Sequence, residues 1–139
     1  MSNPNVDNVK FYNTKTIVDR NGNLCPLESL SNVPFDIKRV FYVYGVRDEE
    51  PRGNHAHYKT QQLLICLSGK VEVVCKDGDR QVRYLLESPQ QAVYIPEMIW
   101  DEQIYRTDQS VLLVLSNTSY DPSDYIHDFD QFKRLRSEE

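Results

Sequence analysis

The feature that most limits what this chain can become is its punctuation. Between residues 9 and 117, about ten short runs rich in Val, Ile, Tyr and Phe alternate with turn-forming residues. Asn21-Gly22 and Asp77-Gly78 are tight-turn pairs, and Ser68-Gly69, Ser88-Pro89 and Pro96 mark further breaks. Strands are expected at residues 9–12, 14–18, 24–28, 36–46, 61–67, 70–76, 81–86, 92–95, 99–105 and 111–115. Val71, Val73 and Cys75 fall on one face of their strand, as period-two alternation requires. The run VLLVL at 111–115 is apolar on both faces, which suits a strand buried on both sides. Such a chain folds as an all-β sandwich or barrel. At 139 residues one domain, 1–139, is expected, with enough chain for a proper core.

The C-terminus changes character. Asp121 reads as an N-cap and Pro122 as the first helical residue, with Asp124 in the first turn. Tyr125, Phe129, Phe132 and Leu135, with Ile126, then recur at helical spacing, and a short α-helix packed outside the β body is expected.

Charge and segment pattern exclude several classes. The net charge of −5 argues against a nucleic-acid partner, which needs a basic face. No apolar run approaches the ~20 residues of a membrane span, so no membrane partner is expected. The start, MSNPNVDNVK, lacks a signal-peptide pattern, and a cytoplasmic location is expected. Cys25, Cys66 and Cys75 are odd in number, widely spaced and without a CxxC pair, so they read as reduced thiols.

The chemistry concentrates in Arg52-Gly53-Asn54-His55-Ala56-His57. On an extended strand His55 and His57 share a face, roughly 6–7 Å apart along the chain. They could hold a metal, move a proton, or simply be structural. The small cupin-type proteins that bind metal use His-x-His, a carboxylate four or five residues on, and a later His. Here Gln61 and Gln62 stand at the carboxylate positions and YIPEMIW offers no His, so the metal set is incomplete. Proton transfer needs nothing further, because neutral imidazole accepts and donates protons near neutral pH. Arg52 beside the pair, Arg39 in the preceding strand and Arg20 in the Asn-Gly hairpin can each take an anionic group.

These residues, in their order, resemble a family. The chain is similar to the cupin-fold 3,4-ketoisomerases that act on dTDP-4-keto-6-deoxy-D-glucose. The likeness runs over about residues 9–133, through Asp19–Gly22, PFDIKRVFYVY at 34–44, EEPRGNHAH at 49–57 and QLLICLSG at 62–69. It continues in LLESP at 85–89, VYIPEMIW at 93–100 and YDPSDYIHDFDQF at 120–132. The resemblance implies a cupin-type jelly roll (a double-stranded β-helix) and a homodimer with exchanged or shared N-terminal strands. It implies an isomerase that moves the C4 keto group of a dTDP-linked 4-keto-6-deoxy sugar to C3, without metal or other cofactor.

By motif, His55 and His57 are its acid/base pair. His57 is taken as the base for the C3 proton, with His55 supporting the enediolate or shuttling between O3 and O4, and the order of the two left open. Arg39 and Arg52 are assigned to the diphosphate or sugar oxygens, Arg20 to the sugar, and Tyr44, Tyr42 or Trp100 to the thymine or sugar face. Directly after Trp100, family members carry His or Arg, whereas this chain carries Asp101, which is expected to bear on where C4 receives its proton. Arg20 favours the galacto product and thus a 3-amino-sugar route. His127 receives no role. A dTDP-sugar 3,5-epimerase would need a His–Asp pair and a Tyr, a signature not found around the two histidines in sequence. A non-catalytic nucleotide-sugar-binding module is the remaining alternative.

Overall fold

A computed structural model describes residues 3–138. The strands are β1 (Lys10–Asn13), β2 (Ile17–Asp19), β3 (Gly22–Leu24), β4 (Arg39–Val43), β5 (Arg52–His57) and β6 (Gln62–Ser68), then β7 (Val71–Lys76), β8 (Gln81–Leu86), β9 (Gln91–Ile95), β10 (Trp100–Tyr105), β11 (Val111–Ser116) and β12 (Tyr125–Ile126). One α-helix, α1 (Phe129–Ser137), follows. Two five-stranded antiparallel sheets face each other, ordered β1-β9-β6-β11-β4 and β12-β5-β10-β7-β8, and β2-β3 forms a separate ribbon. This is the jelly roll expected from the motifs. None of the described helices is long and apolar enough to cross a membrane.

Alternation decides what fills the interior. Val71, Val73 and Cys75 of β7 face inward as expected and meet Leu64, Cys66, Val93, Leu112 and Val114 of the opposite sheet. The VLLVL strand lies between β6 and β4, hydrogen-bonded on both sides. Its second apolar face is covered from outside, where Val33 and Phe35 pack with Leu63, Ile65 and Leu115. The helix closes the other sheet: Phe132 is buried against Ala56, Met98, Trp100 and Ile126.

Two expectations need correcting. The helix does not begin at Asp121. That residue caps a single 3-10 turn, Pro122–Asp124, and Asp128 caps the true helix. Tyr125 and Ile126 instead pair with His57 and Ala56 as β12. Local capping signals are worth about 1 kcal/mol, which strand pairing and a buried Asp124 outweigh. The early strands are also shorter than their apolar runs: the Asn-Gly hairpin pairs only Ile17–Asp19 with Gly22–Leu24, and residues 36–46 contribute only Arg39–Val43. No residue of the hairpin is buried, and Val18 is 79% exposed.

Candidate active site

The site lies between the two sheets, where β4, β6 and β11 of one face β5, β10 and β12 of the other. Arg52 and His55 are three residues apart, and a regular strand would send them to opposite faces. A β-bulge brings them together. Asp101 pairs with His55 and Glu102 with Gly53, so Asn54 is the extra residue. Gly53 and Asn54 take positive φ, 81° and 56°. Glycine is needed at 53 for a second reason: a Cβ there would stand 3.0 Å from Asp101 Oδ1 and 3.1 Å from the Asp101 carbonyl. Arg52, Gly53 and His55 all line one cavity with Arg39, Gln62, Gln103 and Tyr125. Its volume is about 130 Å³. That is below the ~300–1,000 Å³ of pockets that enclose whole ligands, so it suits one sugar ring with the rest of a ligand across its mouth. A larger open groove of about 1070 Å³ runs along β1, and no histidine is among the residues lining it.

His57 sits deeper than His55, 6% exposed, on the same face, with the two ring centroids 5.1 Å apart and edge to face. Its Nδ1 is 3.1 Å from Asp124 Oδ2. Asp124 is buried and also accepts from the backbone N–H groups of Lys59 and Thr60 and from the Thr60 hydroxyl. A carboxylate can only accept, so Nδ1 carries the proton and Nε2 the lone pair. Nε2 is buried and without a hydrogen-bond partner. Burial, with His55 beside it, pulls the His57 pKa down to about 4 against the pull of Asp124, so the ring is neutral at pH 7.

Asp101 is fully buried. Its Oδ1 accepts from Gln103 Nε2 at 2.9 Å, and its Oδ2 has no partner. Burial raises its pKa, and the charge of nearby His55 lowers it in part. Tyr125 lies 4.4 Å from the His57 ring and 5.1 Å from that of His55. His127 stacks on Tyr125 and lies 6.2 Å from His55. Arg39 also lines the cavity, with its guanidinium 4.4 Å from the Phe41 ring and 5.0 Å from that of Tyr120. Among the described residues, no group of three or more His, Cys, Asp or Glu is arranged to hold a metal ion.

Five residues singled out in the sequence therefore meet: His55, His57, Arg39, Arg52 and Asp101. Three do not. Trp100 points to the other face of β10, where it is buried against Phe129 and Phe132 and its Nε1 donates to Glu102. Tyr44 is 70% exposed beyond the end of β4 and packs on Tyr42. Arg20 lies in the turn of the exposed hairpin. Four site residues escaped the sequence reading: Asp124, Gln103, Tyr125 and His127. Gln103 had a signal, since in WDEQIY it shares the inward face with Asp101, and paired inward polar residues inside a barrel ask for a ligand. Asp124 had none, because it read locally as the first turn of a helix.

The family described as FdtA: WxcM-like, C-terminal, matches residues 7–137. The chain belongs to this family. It is an enzyme of the sugar 3,4-ketoisomerase kind. It is 40% identical over 125 residues to the TDP-4-oxo-6-deoxy-alpha-D-glucose-3,4-oxoisomerase of Aneurinibacillus thermoaerophilus, covering 90% of each chain. Its structure superposes with a TM-score of 0.90 on a histidine-to-asparagine variant of the 3,4-ketoisomerase QdtA from Thermoanaerobacterium thermosaccharolyticum in complex with TDP-4-keto-6-deoxyglucose, at 37% identity over 94% of this chain and 95% of that one. The TDP-fucose-3,4-ketoisomerase WlaRA of Campylobacter jejuni matches at 0.87 and 35% identity, over 93% and 96% of the two chains.

Proposed function

We propose that this chain moves the keto group of dTDP-4-keto-6-deoxy-D-glucose from C4 to C3 by histidine acid/base chemistry, with no metal. The observation that carries the reading is a pair of adjacent imidazoles with distinct surroundings at one sugar-sized cavity. His55 is among the residues lining that cavity, with His57 deeper beside it, which supports His55 as the base for C3. His55 takes the proton from C3, and the electron pair moves into a C3–C4 double bond with charge on O4. His57, neutral with its free Nε2, takes the proton of the O3 hydroxyl and gives it to O4. The His55 imidazolium, its N–H exchanged with solvent, then delivers a proton to C4 as C3 becomes the ketone. Two protons move and no external oxidant is needed. Arg39 and Arg52 hold the diphosphate across the mouth, since guanidinium forks bond two oxygens at once.

Residues 1–139 act as one domain in a homodimer. Isolated two-stranded hairpins are marginal in water, and this one exposes Ile17, Val18 and Leu24, which supports its burial against a second copy. Docked there, Arg20 reaches the partner's site and favours delivery of the C4 proton that gives the galacto product, a 3-keto sugar suited to amination. Trp100, packed under α1 on the other face of β10, takes no part in substrate binding.

The experiment is NMR of the product formed in D₂O by chelator-treated protein. Deuterium at C4 of a 3-keto product is the expected result, and the product of a parallel reaction in H₂O should show the H4 coupling of a galacto sugar. Activity that requires added iron or zinc overturns the metal-free mechanism. Calorimetric binding of dTDP without turnover of several dTDP-4-keto sugars overturns catalysis in favour of a binding module.

One observation favours a second reading. The His–Asp pair and Tyr that a 3,5-epimerase uses are present after all, as His57, Asp124 and Tyr125. Epimerisation would place solvent deuterium at C3 and C5 and leave the ketone at C4, so the same spectrum separates the two.

A further inference from the structure

We infer that Asp101 is the counter-charge of His55: a buried carboxylate, unpartnered on one oxygen, that stabilises the imidazolium formed when His55 takes the substrate's carbon-bound proton. The inference rests on the ketoisomerase reading for the proton's origin, but the pair itself does not.

Three observations support it. Asp101 is directly opposite His55 in the β5–β10 ladder, which puts both side chains on one face as near neighbours. Its carboxyl group is fixed, since Gln103 donates to Oδ1 and the chain at Gly53 closes against it. Its Oδ2 is wholly buried with no donor, and such an atom is costly unless something charged or hydrogen-bonding approaches it.

Charge around His55 makes the need specific. Its own strand supplies Arg52 and the neutral ring of His57, and β4 supplies Arg39. From β12 and the residue after it come Tyr125 and His127. On the far side of Asp101, its ladder partner in β7 is Cys75, whose thiol burial keeps protonated. Two guanidinium groups oppose a third positive charge on His55. Of the two buried carboxylates nearby, Asp124 is committed to His57 and to Thr60. Asp101 alone has an acceptor oxygen to spare. The site then holds two histidine–acid pairs with different tasks. The first is made in the resting enzyme and fixes a tautomer. The second gains strength only when His55 becomes charged, which favours the intermediate over the resting state. Asp101 acts through His55 and is a positioning residue.

The test reads His55 directly, without substrate. In ligand-free protein, the His55 Cε1–H resonance is titrated in wild type and in Asp101→Asn. The substitution should move that titration to lower pH, because a neutral amide no longer stabilises the imidazolium. The acid limb of kcat/KM should move down by the same amount, with KM little changed. A purely structural Asp101 would leave both positions unmoved while the melting temperature falls, and that result overturns the inference. If Asp101→Asn does not fold, wild type still decides. The ¹³Cγ resonance of Asp101 must show a step at the pH where His55 titrates, and its absence overturns the pair. Should the protein titrate as described but fail to isomerise any dTDP-4-keto sugar, the functional reading falls and the pair stands.

Discussion

Inside this barrel, the region around Leu64, Val71, Val73 and Leu112 and the region around His55, His57, Asp101 and Gln103 are made by the same strand alternation, and they meet different physical demands. In the first, every inward residue is apolar and buried, and the contacts satisfy themselves. In the second, the inward residues are polar, and two of their atoms, His57 Nε2 and Asp101 Oδ2, are buried without a partner. An unpaired buried polar group costs about 1–3 kcal/mol. The apolar region supplies the stability that lets the polar one keep its atoms unsatisfied until a ligand arrives.

Substitutions should separate the two regions. The largest expected effect is His55→Asn, which should lower kcat by about 10²–10⁴-fold with an unchanged melting temperature, measured by NMR product assay and calorimetry. A variant with near wild-type turnover would remove the proposed base. In the apolar region, Leu64→Ala should cost about 2–5 kcal/mol in urea unfolding. Its kcat/KM in the cold should stay within about two-fold of wild type, and a large catalytic loss there would erase the contrast.

Asp124→Asn crosses the boundary. It leaves the His57 tautomer unfixed and should lower kcat about 10- to 100-fold while destabilising the fold by about 1–3 kcal/mol. Smaller still is the pH effect. The folded His57 has a pKa of about 4, below its unfolded value near 6.5. Its contribution is thus fully present above pH 6.5 and is lost as pH falls toward 4, by at most about 1.4 kcal/mol per unit. Urea midpoints at pH 7, 6 and 5 should show this slope, and His57→Asn should remove its share. Least of all, Trp100→Phe should leave KM within about two-fold, because the ring packs under α1 on the other face of β10. A ten-fold rise in KM would return Trp100 to the site.

How far the site could be read in advance follows from range. His-x-His on one face is a local fact of period two, and it held in β5. Arg52 beside His55 depended on a bulge, which the Gly-Asn pair permits without announcing. Asp101 stood out as a departure from the family motif, but not as a residue paired across to His55. Asp124 comes 67 positions after the histidine it holds. Its surroundings, D-P-S-D, satisfy every local rule for a helix start, and only the pairing of Tyr125 with His57 turns the chain aside.

The sequence by itself determined the strand rhythm and the shared face of His55 and His57, while the jelly roll followed from its resemblance to the family. The first two are properties of alternation and turn chemistry, set within a few residues of chain. Tertiary structure alone decided which nitrogen of His57 carries the proton, which histidine lines the cavity, and which polar atoms stay unpaired. These depend on desolvation and on partners that arrive from distant strands, and neither is written in local spacing.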